Sequence, residues 1–174
     1  MSFGFSEIEQ HVPPGRPGVY VVSTIDGLCL KVGVGGDVLE RLKQHRASRQ
    51  SGLVLRMDGD WSVPRDIESK KSILAKHLYF DRQIAPDLDL KTEAGRRRFL
   101  EERCRVEVTL TDSREAACLL EADLEAAGGI RYMGEVLVRP PRSEHHTTRL
   151  LRFAAFGILA AALAVLALLW ARHA

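Results

Sequence analysis

Eighteen or so consecutive residues near the C-terminal end, Phe153 to Trp170, read FAAFGILAAALAVLALLW without a charged or strongly polar side chain. A surface helix of a soluble domain keeps a polar stripe, and this run is apolar all round. At ~1.5 Å per residue it makes a helix of about 27 Å, close to the ~30 Å bilayer core. Trp170 sits at one end, where an interfacial aromatic belongs. A transmembrane helix is therefore expected over 150–171, with a short tail at 172–174. Arg139, Arg142, Arg149 and Arg152 precede the span and only Arg172 follows it. The positive-inside rule then keeps the N-terminal part in the cytoplasm, at a bacterial inner membrane if the source is bacterial. Membrane lipid is thus one expected partner. The polar stretch at 137–149, which carries Pro140, Pro141, His145 and His146, reads as a juxtamembrane linker. As a flexible chain it reaches roughly 20 Å. Its two adjacent histidines make a poor metal site without further ligands.

Composition bounds the remainder. A formal net charge of +2 neither requires nor excludes a nucleic-acid partner. Three widely spaced cysteines, Cys29, Cys104 and Cys118, include no CxxC pair. They read as reduced, mostly buried thiols rather than a zinc site or a disulfide framework. Met1 to Gln10 contains Glu7 and Glu9 and no long apolar run, so no signal peptide is expected there.

Residues 1–17 form a lead-in ending in a Pro/Gly cluster. VYVVSTIDGLCLKVGV then gives two β-rich runs around Asp26-Gly27, a strong hairpin signal. With a two-residue turn, Ile25 pairs with Leu28, Val22 faces Lys31 and Tyr20 faces Gly33. Tyr20, Lys31 and Gly33 then share one face, and Gly33 leaves room beside the tyrosine ring. A nearby ammonium favours the phenolate and lowers the tyrosine pKa.

A short helix is expected from Asp37 to about Arg46, with Asp37 as cap and Glu40 three residues on. Arg41 and His45 lie one turn apart on it, and the arginine suits bidentate phosphate binding. Residues 50–104 are less legible and largely helical in pattern. LVLRMDGDWSV suggests a strand and turn; DIESKKSILAKHLYF and KTEAGRRRFLEERC suggest helices. Arg96, Arg97 and Arg98 are candidate phosphate contacts or a solvated face. RVEVTLT alternates as a strand, and Asp112-Ser113 opens a helix with Ala116, Ala117, Leu120 and Leu124 as its core stripe. Gly128-Gly129 ends that helix. Glu121 sits among its apolar residues, and a carboxylate there suits magnesium. Strands and helices mix, so an α+β fold is expected.

These elements together resemble the GIY-YIG nucleases. That family carries Gly-Ile-Tyr on a first strand, about ten residues, then Tyr-Ile-Gly on a second. A helix with an arginine and often a histidine one turn on follows, then a glutamate on a later helix. Here Gly18-Val19-Tyr20, preceded by Pro17, is followed after ten residues by Lys31-Val32-Gly33. Arg41 and His45 stand at the helix positions. DSREAACLLEADLEAAGGIRYMGE resembles the glutamate segment, with Glu121 at the metal-ligand position. The match covers roughly residues 15–48 and 105–135, and between them lies a helical insertion, about 50–104, that the basic module does not need. Lys31 replaces the second-motif tyrosine, as in phage-type domains with Lys-Ile-Gly. Met133 stands where the family has an asparagine.

The resemblance implies a nuclease domain over 1–136, with a short central antiparallel sheet flanked by helices. It implies DNA as partner and phosphodiester hydrolysis with one Mg²⁺ or Mn²⁺ ion held by Glu121. Tyr20, Lys31, Arg41 and His45 would complete the catalytic set. Tyr20, its pKa lowered by Lys31, would take a proton from the attacking water. Met133 motivates the alternative of a catalytically inactive, membrane-anchored module that binds nucleic acid or protein.

Overall fold

Val19, Val21, Val32 and Val34 turn to one side of the expected hairpin, while Tyr20 and Val22 turn to the other. Such two-sided apolar strands must be covered on both faces. The computed structural model, which describes residues 2–47, 53–69 and 72–134, meets that demand. Strands β2 (Gly18–Thr24) and β3 (Cys29–Gly35) form an antiparallel hairpin. Strand β6 (Cys104–Leu110) pairs with the free side of β2, and β1 (Ser2–Gly4) pairs with β6. The sheet order is β1-β6-β2-β3, wholly antiparallel. The fold is α+β, a small antiparallel sheet flanked by helices, as expected.

One face carries the larger core. Tyr20, Val22 and Val106 of the sheet pack there with Phe5, Ile8, Leu42, Phe99 and Leu100. These come from the N-terminal segment, including α1 (Ile8–His11), and from α2 (Val38–Ala47) and α4 (Glu93–Arg103). The opposite face packs Val19 and Val32 against Ala117, Leu120 and Leu124 of α5 (Arg114–Ala127). Between α2 and α4, the strands β4 (Leu53–Leu55) and β5 (Ile67–Ser69) make a separate two-stranded ribbon, followed by α3 (Ile73–Phe80).

The hairpin register agrees with the count from Asp26-Gly27, though by a different route. Tyr20 pairs with Gly33 and Val22 with Lys31. The tip, however, is a three-residue loop, Ile25-Asp26-Gly27, and not the two-residue turn. Thr24 N donates to Leu28 O at 2.9 Å, and Gly27 adopts φ +90°. A bulge then sets Cys29, Leu30 and Lys31 against Val22 and Ser23. The extra loop residue and the extra strand residue cancel, so the pairing beyond them is unchanged.

Other elements differ from the sequence reading. The lead-in is structured, because Ser2–Gly4 supplies the edge strand β1. The first half of DIESKKSILAKHLYF is not helical: Ile67–Ser69 finds a partner in Leu53–Leu55, and the helix starts only after Ser72, whose Oγ caps Ala75 N at 3.3 Å. In α5 the N-cap is Ser113, and Ala117 is buried while Ala116 is exposed. Gly128, at φ +78°, ends that helix as expected. The expected linker at 137–149, the transmembrane helix at 150–171 and the tail at 172–174 lie outside the described residues. Among the described residues, no helix is long and apolar enough to cross a membrane.

The segment after α5 is tied back by one carboxylate. Asp81, at the C-terminal end of α3, accepts from Arg131 Nε at 2.6 Å and Tyr132 Oη at 2.8 Å. It also accepts from the backbone N–H groups of Gln83 and Ile84 at 3.0 and 3.2 Å. Burial pushes this carboxyl up, but Arg131 and Tyr132 outweigh it and hold the pKa below the ordinary value. Arg131 N and Tyr132 N extend the tie by donating to Cys29 O and Leu30 O of β3. Asp81→Ala is expected to destabilise the fold by roughly 3 kcal/mol, since a charged hydrogen-bond network is lost and its partners stay half-buried. Urea unfolding measures that loss, and hydrogen exchange at the Tyr132 amide should accelerate; no change in either would rule out the tie.

Candidate active site

A tyrosine facing a glycine across a strand pair can lay its ring over the partner's backbone. Tyr20 does so at Gly33, where an added Cβ would stand 2.5 Å from Cζ of the ring. The phenol is thereby carried to α2, and Tyr20 Oη lies 2.7 Å from His45 Nε2. His45 Nδ1 in turn lies 2.6 Å from Ser72 Oγ. All three residues are buried, at 1%, 0% and 4% relative exposure. The three sit on separate elements: β2, the last turn of α2 and the cap of α3.

Arg41 stands one turn before His45, on the helix capped by Asp37. That aspartate accepts from Glu40 N at 3.0 Å and also from Gly15 N at 2.9 Å, which pins the Pro/Gly lead-in to the helix start. Arg41 Nη1 donates to Gln44 Oε1 at 3.1 Å. Its guanidinium also acts on Tyr20, by charge and by hydrogen bond. Lys31, on the edge strand β3, is half-buried and responds to Glu121 and Glu125 from α5 and to Arg41 from α2. Elements from both faces of the sheet thus bring charge to its β3 side.

The electrostatics correct one expectation. Burial raises the Tyr20 pKa above its ordinary value, and the cation that opposes this is Arg41 rather than Lys31. Burial of the ammonium lowers Lys31, against the pull of Glu121 and Glu125. Burial lowers His45 to about 3, helped by Arg41 and Lys31, so the imidazole is neutral at physiological pH. Burial and then the charge of Glu125 raise Glu121, while Lys31 opposes them. A desolvated carboxylate beside a second carboxylate is poised to gain from a cation.

Tyr20, Lys31, Arg41, His45 and Glu121 are therefore linked in a chain of neighbours: Arg41 acts on Tyr20, His45 and Lys31, and Glu121 on Tyr20 and Lys31. The arginine run at 96–98 takes no part. Arg96 is fully buried and donates to Leu90 O at 3.0 Å and Lys91 O at 2.9 Å. Arg97 and Arg98 pair with Glu101 and Glu102 along α4, each at 3.0 Å. Met133 is 43% exposed and brings no oxygen or nitrogen in its side chain. The cysteines are free, but only Cys104 is buried; Cys29 is half-buried and Cys118 exposed, which corrects the expectation of mostly buried thiols. Among the described residues no group of three or more His, Cys, Asp and Glu side chains could hold a metal ion. Glu121 and Glu125, one turn apart on α5, are the carboxylates at this site.

Ser72 is the site residue that the sequence did not disclose. A serine directly before ILAKHLYF is a cap signal, but the sequence reading runs the helix through it. Its contact with His45, 27 positions earlier, carries no local signal. Compared with known proteins, the chain matches no family model, no curated protein and no solved structure.

Two outcomes follow from this geometry. Gly33→Ala should force the phenol off its place and destabilise the protein by roughly 1–3 kcal/mol, as overpacking does. Unfolding in urea tests this, and unaltered stability would mean that the ring does not lie over Gly33. His45 gives a pH dependence. Its folded pKa is depressed from 6.5 to about 3, so the unfolded chain takes up the proton first. Its neutral burial therefore contributes fully above that unfolded value and is lost as pH falls towards the folded one. Between pH 7 and pH 5 the wild type should lose roughly 2 kcal/mol more stability than His45→Gln. Equal losses would assign the acid sensitivity to other groups.

Proposed function

We propose that this chain is a GIY-YIG-like endonuclease that hydrolyses DNA phosphodiester bonds with one Mg²⁺ or Mn²⁺ ion. We further propose that the C-terminal apolar helix tethers it to a membrane, with the catalytic domain on the cytoplasmic side. The observation that supports the activity is the buried contact of Tyr20 Oη with His45 Nε2 at 2.7 Å, one helical turn from Arg41, between residues that the motif resemblance picks out on separate elements.

In this reading Arg41 binds the scissile phosphate and offsets the charge that grows on it. Tyr20 takes a proton from the attacking water. Its phenol is buried, so the charge and hydrogen bond of Arg41 are what favour the anionic form. His45, neutral, holds the tyrosine oxygen in place. Lys31, drawn below the ordinary ammonium range by burial, feels the carboxylates of Glu121 and Glu125 on α5 and the charge of Arg41. Glu121 fits a magnesium or manganese ligand, since such ions take one or two carboxylates and complete their shell with water and phosphate oxygens. Bound there, the ion would supply Lewis-acid stabilisation of the phosphate. Glu125 strengthens the local negative charge that raises Glu121.

Met133 favours a second reading, a catalytically silent module at the membrane that binds nucleic acid or protein. Where the resembling family presents an asparagine carboxamide, this chain presents an exposed thioether.

Plasmid cleavage by the purified full chain separates the two. With Mg²⁺ or Mn²⁺ the wild type should nick or cut, and Glu121→Ala and Arg41→Ala should each lose at least about a hundredfold in rate. Full activity in Glu121→Ala would refute the metal assignment. Folded protein that binds DNA in a salt-dependent way but never cuts it would establish the silent module. Absent or salt-insensitive DNA binding would turn the search to protein partners.

A further inference from the structure

We infer that Ser72, supplied by the insertion between α2 and β6, fixes His45 in its Nε2–H tautomer, so that the imidazole donates to the oxygen of Tyr20. The catalytic consequence rests on the function proposed above; the tautomer itself does not.

Hydrogen-bond accounting carries the assignment. The Ser72 hydroxyl oxygen accepts from Ala75 N at 3.3 Å as the cap of α3. That role leaves the hydroxyl proton to be donated, and His45 Nδ1 lies 2.6 Å away as an acceptor. A serine hydroxyl has one proton and two lone pairs, so donation to Nδ1 uses the group as both donor and acceptor. The opposite tautomer would have the oxygen accept from both Ala75 N and Nδ1. A buried serine proton would then need another acceptor. Among the described residues the hydrogen-bond partners of Ser72 Oγ are Ala75 N and His45 Nδ1, and neither Ser69 nor another group stands as an acceptor for that proton.

With Nδ1 filled by the serine proton, the imidazole proton sits on Nε2. It points at Tyr20 Oη, 2.7 Å away. The tyrosine oxygen then accepts a hydrogen bond from His45, with the Arg41 guanidinium, one helical turn before that histidine, favouring its anionic form. The phenol's own proton is turned away from the histidine, and the phenolate left when that proton goes to solvent, the form that takes a proton from water in the reading above, keeps the histidine as donor. In the opposite tautomer the phenol would donate inwards to His45 and its proton would be committed to the core. Ser72 is therefore a positioning residue, acting on Tyr20 through His45. Tautomer control of this kind is what partners of catalytic histidines commonly provide. The insertion, which the basic hairpin-and-helix module does not contain, becomes part of the site through this one hydroxyl.

The test is nitrogen-15 NMR of the histidine side chains in the full chain, with His45 assigned by loss of its signals in His45→Gln. The wild type is expected to show a protonated Nε2 and a bare Nδ1 at His45. A protonated Nδ1 would overturn the inference outright, whatever the protein's activity. Ser72→Gly removes the hydroxyl and leaves a residue that helix caps accept. It should shift His45 towards a mixture of tautomers, and Ser72→Thr should restore the wild-type pattern. An unshifted pattern in folded Ser72→Gly would also overturn it. If the wild type cuts DNA, Ser72→Gly should lower kcat roughly tenfold to a hundredfold with KM unchanged, and Ser72→Thr should recover it. If the wild type does not cut, the nuclease reading fails while the NMR result still decides the role of Ser72.

Discussion

The contact between Tyr20 and His45 is the constraint on which the rest of the site depends. A phenol and an imidazole are buried together with a 2.7 Å hydrogen bond, and a buried polar pair of this kind is costly unless every group is satisfied. That requirement propagates outwards. Tyr20 needs a glycine opposite it, which fixes the register of the hairpin. His45 needs a second partner, which fixes the position of α3. Arg41, one turn away, is held by the same helix whose start is pinned by Asp37 to the Gly15 loop. The burial that makes the pair demanding also keeps His45 neutral and raises Tyr20.

The segment between α2 and β6 is more than a surface elaboration. Its helices close the larger core through Leu74, Leu78, Phe99 and Leu100, and its buried Arg96 ties α4 to the preceding loop through Leu90 and Lys91. Asp81 anchors Arg131 and Tyr132, which bind the edge of β3. The strand that carries Lys31 is thereby braced by residues from the far end of the domain. His77 stacks on Tyr132 at 4.9 Å between ring centroids and completes the same junction.

Local chemistry was legible where it repeats over a few residues. The hairpin, the cap at Asp37, the helix over Glu93–Arg103 and the Gly128 stop could all be read from turn residues and periodicity. The register survived an error in the turn, since a longer loop and a bulge offset one another. Readings failed where a distant partner overrides local pattern. Ile67–Ser69 is a strand because Leu53–Leu55 offers it hydrogen bonds, although its own sequence runs smoothly into a helix. Ser2–Gly4 became a strand only because β6 presents an edge to it. The arginines at 96–98 look like one basic patch in sequence, yet helical geometry buries the first and gives the other two their own glutamates four residues on.

The sequence by itself determined which side chains could meet across the hairpin and along α2, because strand alternation and the helical turn relate near neighbours by geometry. It named Tyr20, Lys31, Gly33, Arg41, His45 and Glu121 as candidates, and the resemblance supplied the roles expected of them. Only the tertiary structure decided that Arg41, not Lys31, is the cation that acts on Tyr20, and that Ser72 is the second partner of His45. Neither follows from spacing along the chain. Both depend on how deeply each group is removed from water and on which elements fold back over the sheet, quantities that exist only once the core has closed.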